Sequence, residues 1–173
     1  MDDDAKTYLP FNDCDEILPV LNKIAIFGGL TRAHLNTLCS RLERVQYTCD
    51  EFIFRQGDEP THLYIVRSGE VKLITDVDDE TLELADFREG DCFGETGIIG
   101  IQRHSASAIA VRDTELIVVS GEAFLSFYET DKELFSKLML NIAREACRRL
   151  HKSGEVMLHY VHVKNGKEHK GRM

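Results

Sequence analysis

The residues of this chain best suited to chemistry lie close together: a carboxylate at Glu95, two bases at Arg103 and His104, and hydroxyls at Ser105 and Ser107. Glycines stand among them at 94, 97 and 100. Glycine lets a backbone approach a ligand closely. A short helix opening near Glu95 would aim unpaired N–H groups and a positive dipole end at an anion. A basic side chain eight or nine residues later could close over the same anion, and the carboxylate could accept from sugar hydroxyls. The run from Gly90 to Ala108 thus has the chemistry of a pocket for a sugar phosphate.

Such a pocket needs a scaffold, and the flanking periodicities predict one. Residues 1–12 are polar, contain Pro10 and read as a loose lead-in. Ile17, Leu18 and Leu21 fit a short amphipathic helix that Pro19 limits or opens. Thr31 is placed to cap a second helix through about Leu42. The period then changes to two. Val45, Tyr47, Phe52 and Phe54 alternate with polar residues, and 63–67, 71–77 and 82–86 follow as strands with a hairpin tip at Asp78–Asp79. Two more strands are expected at about 105–112 and 115–119. Ser120 should cap a helix to Tyr128, and Thr130 a long one from Asp131 with Phe135, Leu138, Ile142, Ala146 and Leu150 on its apolar stripe. Ser153–Gly154 should end or kink that helix before an apolar stretch, 156–163. The basic tail 164–173 reads as mobile.

Composition bounds the function. The chain has 173 residues, 43% of them hydrophobic, enough for one domain with a helical extension. A net charge of -9 disfavours nucleic acid as a partner. Five cysteines are odd in number and form no CxxC pair, so scattered reduced thiols are expected. The acidic start Met1–Asp4 does not resemble a signal peptide, and no apolar run is long enough to span a bilayer. A cytoplasmic protein without membrane association follows as the expectation. No nucleophile–base arrangement is present, so catalysis is not expected. The spacing of His159 and His162 gives no metal-binding set.

Three motifs in order carry a family resemblance: Ile53-Phe54-Arg55-Gln56-Gly57-Asp58, Leu63-Tyr64-Ile65-Val66-Arg67-Ser68-Gly69-Glu70-Val71, and Gly90-Asp91-Cys92-Phe93-Gly94-Glu95. Together they resemble the cyclic nucleotide-binding domain family, the fold of the catabolite activator protein and of kinase regulatory subunits. The resemblance covers about residues 25–152. It implies an α+β fold: an antiparallel double-stranded β-helix, or jelly-roll-like β-roll, with N-terminal helices and a long C-terminal helix. The division would be 1–24 lead-in and short helix, 25–130 β-roll, 131–163 C-terminal helix and extension, and 164–173 tail. Gly57, Gly69 and Gly90 would serve turns. The ligand implied is cAMP or cGMP, with no metal. Its site would comprise Phe93, Gly94, Glu95, Thr96, Gly97, Arg103, His104, Ser105, Ala106 and Ser107. Glu95 would accept from the ribose 2′-OH, and the N–H groups near Thr96 and Gly97 would face the phosphate.

One position departs from the family pattern. Where the family places its phosphate-clamping arginine this chain has His104, and Arg103 stands one residue early. Three arrangements satisfy the sequence. Arg103 reaches the phosphate through a loop shift; His104 binds it as a weaker, pH-dependent donor; or the pocket no longer takes a nucleotide. Arginine's bidentate, permanently charged contact is not one that histidine copies. The leading expectation is therefore a nucleotide-binding regulatory module that signals to an unidentified protein partner through its C-terminal helix. The alternative is a ligand-free dimerisation or interaction module on the same fold. Leu134, Leu138, Met139 and Leu140 surround much of the long helix, which predicts a homodimer through 131–150. Residues beyond that helix are too few for a helix-turn-helix, so DNA binding is not expected.

Overall fold

The period-two stretches resolve into two antiparallel sheets that face each other as a β-roll, with five α-helices among the described residues. The structure is a computed structural model and describes residues 6–11, 13–77 and 80–170; the expected tip Asp78–Asp79 lies outside them. The strands are β1 (Leu9–Pro10), β2 (Glu43–Tyr47), β3 (Phe52–Phe54), β4 (His62–Ser68), β5 (Val71–Val77), β6 (Glu80–Phe87), β7 (Cys92–Phe93), β8 (Ser107–Ala110) and β9 (Thr114–Ser120). One sheet runs β1-β2-β9-β4-β7 and the other β3-β8-β5-β6. The helices are α1 (Cys14–Leu21), α2 (Arg32–Cys39), α3 (Glu95–Gly100), α4 (Gly121–Thr130) and α5 (Lys132–Lys170), with a 3-10 turn at Ala25–Phe27.

Strand alternation explains the two cores. Successive side chains of β4 and β9 point to opposite faces of the first sheet. Leu63, Ile65, Ile117 and Val119 face the helices, joining Ile17, Leu21, Leu38, Phe124, Leu134, Leu138 and Ile142. Tyr64, Val66, Leu116 and Val118 face the inside of the roll, joining Tyr47, Phe54, Val71, Phe87 and Phe93. Both faces are covered, so these strands read as nearly continuous apolar runs.

Gly57, Gly69 and Gly90 all carry positive φ, consistent with turns. At Gly69 the requirement is double. Its φ is 97°, and a Cβ there would overlap Thr114.

Thr31 caps α2 and Ser120 caps α4, each hydroxyl accepting a backbone N–H. Four expectations change. Asp131, not Thr130, caps α5, its carboxylate accepting from Leu134 N–H at 3.0 Å. The lead-in is anchored as an edge strand: Leu9 and Pro10 pair with Arg44 and Glu43. Pro10 is tolerated because an edge strand can spare one N–H. Cys14 and Cys39 are joined in a disulfide, Cα to Cα 5.8 Å, stapling α1 to α2, so the chain's cysteines are not all reduced thiols. Finally, α5 passes unbroken through Ser153–Gly154. One interior glycine costs about 1 kcal/mol relative to alanine, and a long helix absorbs that.

Candidate functional site

The cassette begins where β7 turns into α3. Gly94 has φ 84°, and a Cβ on it would meet His62 O at 2.8 Å and the Tyr64 ring at 2.9 Å. Only glycine fits both the left-handed backbone and that approach. Gly97 rests on Pro60, where a Cβ would come within 2.5 Å of the ring. These two contacts seat α3 against the start of β4 and the 55–60 loop.

Glu95 opens α3 and is only 4% exposed. Its Oε1 accepts from Arg149 Nη1 at 3.0 Å. The same guanidinium donates to Cys92 O, pairs with Glu145 at 3.1 Å and lies 5.1 Å from the centre of the Phe87 ring. Burial pushes the Glu95 carboxyl above its ordinary range, and the Arg149 charge opposes that shift. The cassette carboxylate is thus held directly by α5. Cys92 lies beneath, its thiol pushed up to about 12 by burial, which disfavours the thiolate.

The other end of the cassette is built differently. His104 is 7% exposed and its ring lies flat on Phe54, with centroids 3.6 Å apart and planes within 6°. Its backbone is clasped to the 55–60 loop: His104 N–H donates to Asp58 O at 3.0 Å, and Gly57 N–H donates to His104 O at 2.8 Å. Its Nε2 is buried and meets no hydrogen-bond partner among the described residues. Burial lowers the His104 pKa, and the negative Asp58 works the other way. Arg103 turns outward, donating to Gly57 O at 2.8 Å and pairing with Glu59.

Of the remaining residues singled out by sequence, Phe93 is buried in the aromatic cluster with Tyr64 and Phe87. Ala106 is buried, whereas Thr96 and Ser105 are exposed. Ser107 Oγ accepts from Gln56 N–H at 2.9 Å. Sequence reasoning missed Arg149, and it placed Phe54 only in a strand and a motif, not against His104. A signal for Arg149 existed. Leu134, Leu138, Ile142, Glu145 and Arg149 continue one 3-and-4 stripe, and charges on an inward stripe imply buried partners.

The cassette thus carries a buried carboxylate at the start of α3, a glycine-permitted close approach, and a buried imidazole nine residues on, all within a β-roll. Residues 44–131 match the family model described as cyclic nucleotide-binding domain. The chain belongs to that family. It is 36% identical over 102 residues to the cyclic AMP receptor protein of Thermus thermophilus, covering 58% of this chain and 47% of that one. It is 27% identical over 112 residues to the cGMP-dependent protein kinase egl-4 of Caenorhabditis briggsae, covering 63% of this chain and 15% of the kinase. This family domain therefore spans less than half the length of either relative. Among solved structures, a cyclic nucleotide-binding domain from Methylobacillus flagellatus superposes with a TM-score of 0.78 at 26% identity, covering 88% of each chain. The catabolite activator protein of Thermus thermophilus superposes with a TM-score of 0.69 at 31% identity, over 79% of this chain and 62% of that one.

Proposed function

We propose that this chain is a sensor that binds cAMP or cGMP in the roll and passes the binding event to a protein partner through α5. The observation that carries the reading is the Glu95–Arg149 pair, 3.0 Å apart. The carboxylate suited to a ribose 2′-OH is the same one that holds the output helix. A ligand hydroxyl at Glu95 competes with Arg149, so occupancy and helix position become two sides of one equilibrium. The phosphate would lie against α3 between Gly94–Gly97 and His104–Ser107. Isothermal titration with cAMP and cGMP tests this; no heat and no thermal shift at millimolar ligand rejects it.

Homodimerisation through 131–150 belongs to the same reading. Leu140 is 51% and Leu150 74% exposed, with exposed Cys147 between them, on the side of α5 away from Leu138, Ile142 and Arg149. Residues 140, 143, 147, 150 and 154 follow a 3-and-4 spacing suited to a two-fold helical seam. Sedimentation showing a monomer at micromolar concentration would sink it. No described helix is long and apolar enough to cross a membrane. The reading keeps the cytoplasmic location expected from sequence, with the Cys14–Cys39 bond then a redox-sensitive staple.

A second reading, a ligand-free interaction module, is favoured by one observation: His104 is packed on Phe54 and Arg149 on Glu95, so protein groups already engage both ends of the cassette. Co-purification of a stable partner, with no nucleotide response, would favour it.

A further inference from the structure

His104 is the member of the cassette whose chemistry is unfinished. Its backbone is fixed at both N–H and C=O by the 55–60 loop, and its ring is fixed by Phe54. Yet Nε2 is buried without a partner. A buried polar nitrogen left unmet costs about 1–3 kcal/mol, which a ligand acceptor would recover. The arginines near the cassette are committed elsewhere: Arg103 to Gly57 O and Glu59, Arg149 to Glu95 and Cys92 O, and Arg55 over the Phe52 ring.

The charged groups around the imidazole are few. The 55–60 loop brings Asp58, whose carboxylate accepts from Arg55 N–H at 2.7 Å, Glu59, which Arg103 holds, and Arg55, whose guanidinium lies over the Phe52 ring. Strand β3 brings Phe54, without charge. At the far end of the cassette, Glu95 is paired with Arg149.

We propose that His104 Nε2 is the donor to the phosphate of a cyclic nucleotide, and that binding draws one proton onto the imidazole. The inference rests on the cyclic nucleotide reading above and adds a proton to it. An arginine at this position would bring a permanent charge; the histidine acquires its charge with the ligand. Burial keeps free His104 below its ordinary range, and a phosphate anion against Nε2 raises it. The sign follows. Above the bound-state pKa neither form carries the proton, and affinity is flat. As pH falls between the bound-state and free-state values, affinity rises by at most about tenfold per pH unit for one linked proton. Glu95 opposes this: its carboxyl is raised, and protonating it weakens a ribose contact.

The test is titration of the full chain with cAMP between about pH 6 and about pH 8, in two buffers of different ionisation enthalpy. The expected result is tighter binding on acidification with proton uptake approaching one, and neither effect with adenosine, which lacks the phosphate. His104→Arg should bind more tightly without pH dependence, His104→Gln should bind more weakly with a flattened profile, and Arg103→Ala should keep the wild-type slope. Proton uptake near zero on the unaltered chain overturns the proposal, even if the His104 variants do not fold. So does a slope that survives His104→Gln, or adenosine binding as tight as cAMP at every pH. Failure of both cAMP and cGMP to bind at any pH overturns the cyclic nucleotide reading as well.

Discussion

At the start of α3, Glu95 finds its partner within the protein; at the far end of the cassette, His104 Nε2 finds none. Both groups are buried, and burial disfavours the charged form of each. The difference lies in what compensates. Glu95 is held by an arginine from a distant helix, so its satisfaction is conditional on where α5 stands. His104 is held by ring stacking and backbone bonds, so its position is fixed while its polar tip is left over. One end is built to be exchanged and the other to receive.

That contrast can be broken by substitution. The largest expected effect is at the exchange end. Glu95→Ala should weaken cAMP or cGMP binding by between about tenfold and about a hundredfold in isothermal titration, the loss of a hydrogen bond to a charged group. An affinity unchanged by this substitution would remove Glu95 from the site.

Arg149→Ala comes next. It strands a buried carboxylate, and urea unfolding should show a loss of about 2 kcal/mol at neutral pH, below the full cost of breaking a buried pair because the arginine is only half-buried. Without Arg149 the Glu95 pKa rises further. A carboxyl raised in the folded state binds its proton there first, so the deficit should shrink as pH falls toward the ordinary carboxylate range. A deficit that grows on acidification would contradict the assignment. Hydrogen exchange should also speed up in the α5 segment around residue 149.

Phe54→Leu should cost about 1 kcal/mol beyond any area change, because it removes a face-to-face partner of His104. The smallest effect belongs to Arg103→Ala. Its ion pair with Glu59 is solvent-exposed, so stability should change by less than about 1 kcal/mol. Nucleotide affinity should stay within about twofold, since the side chain is directed at the 55–60 loop. A large affinity loss there would show that the loop rearranges to deliver the arginine.

Much of this arrangement is legible in the sequence because it is local. The strands follow from period-two runs separated by glycine turns, the roll from the family resemblance of three ordered motifs, and the cassette from residues within one short stretch. What was illegible is what joins distant parts. Arg149 lies 54 residues beyond Glu95, and nothing near either residue names the other. The Cys14–Cys39 bond links positions 25 apart in a chain with an odd number of cysteines, so counting cannot pair them. Strand β1 is two residues long and contains proline, below what alternation can reveal. The orientation of Arg103 and His104 is a competition between neighbours, decided by Phe54 and Glu59 from outside the motif.

Gly97 abuts Pro60, His104 is clasped to Gly57 and Asp58, and Arg103 is tied to Glu59. The cassette and the 55–60 loop are therefore fastened along their length, like two boards of one shutter. If α3 swings, that shutter swings as a whole, and the bending has to occur where the fastened piece meets the sheets: at the end of β3, the start of β4, the end of β7 and the start of β8.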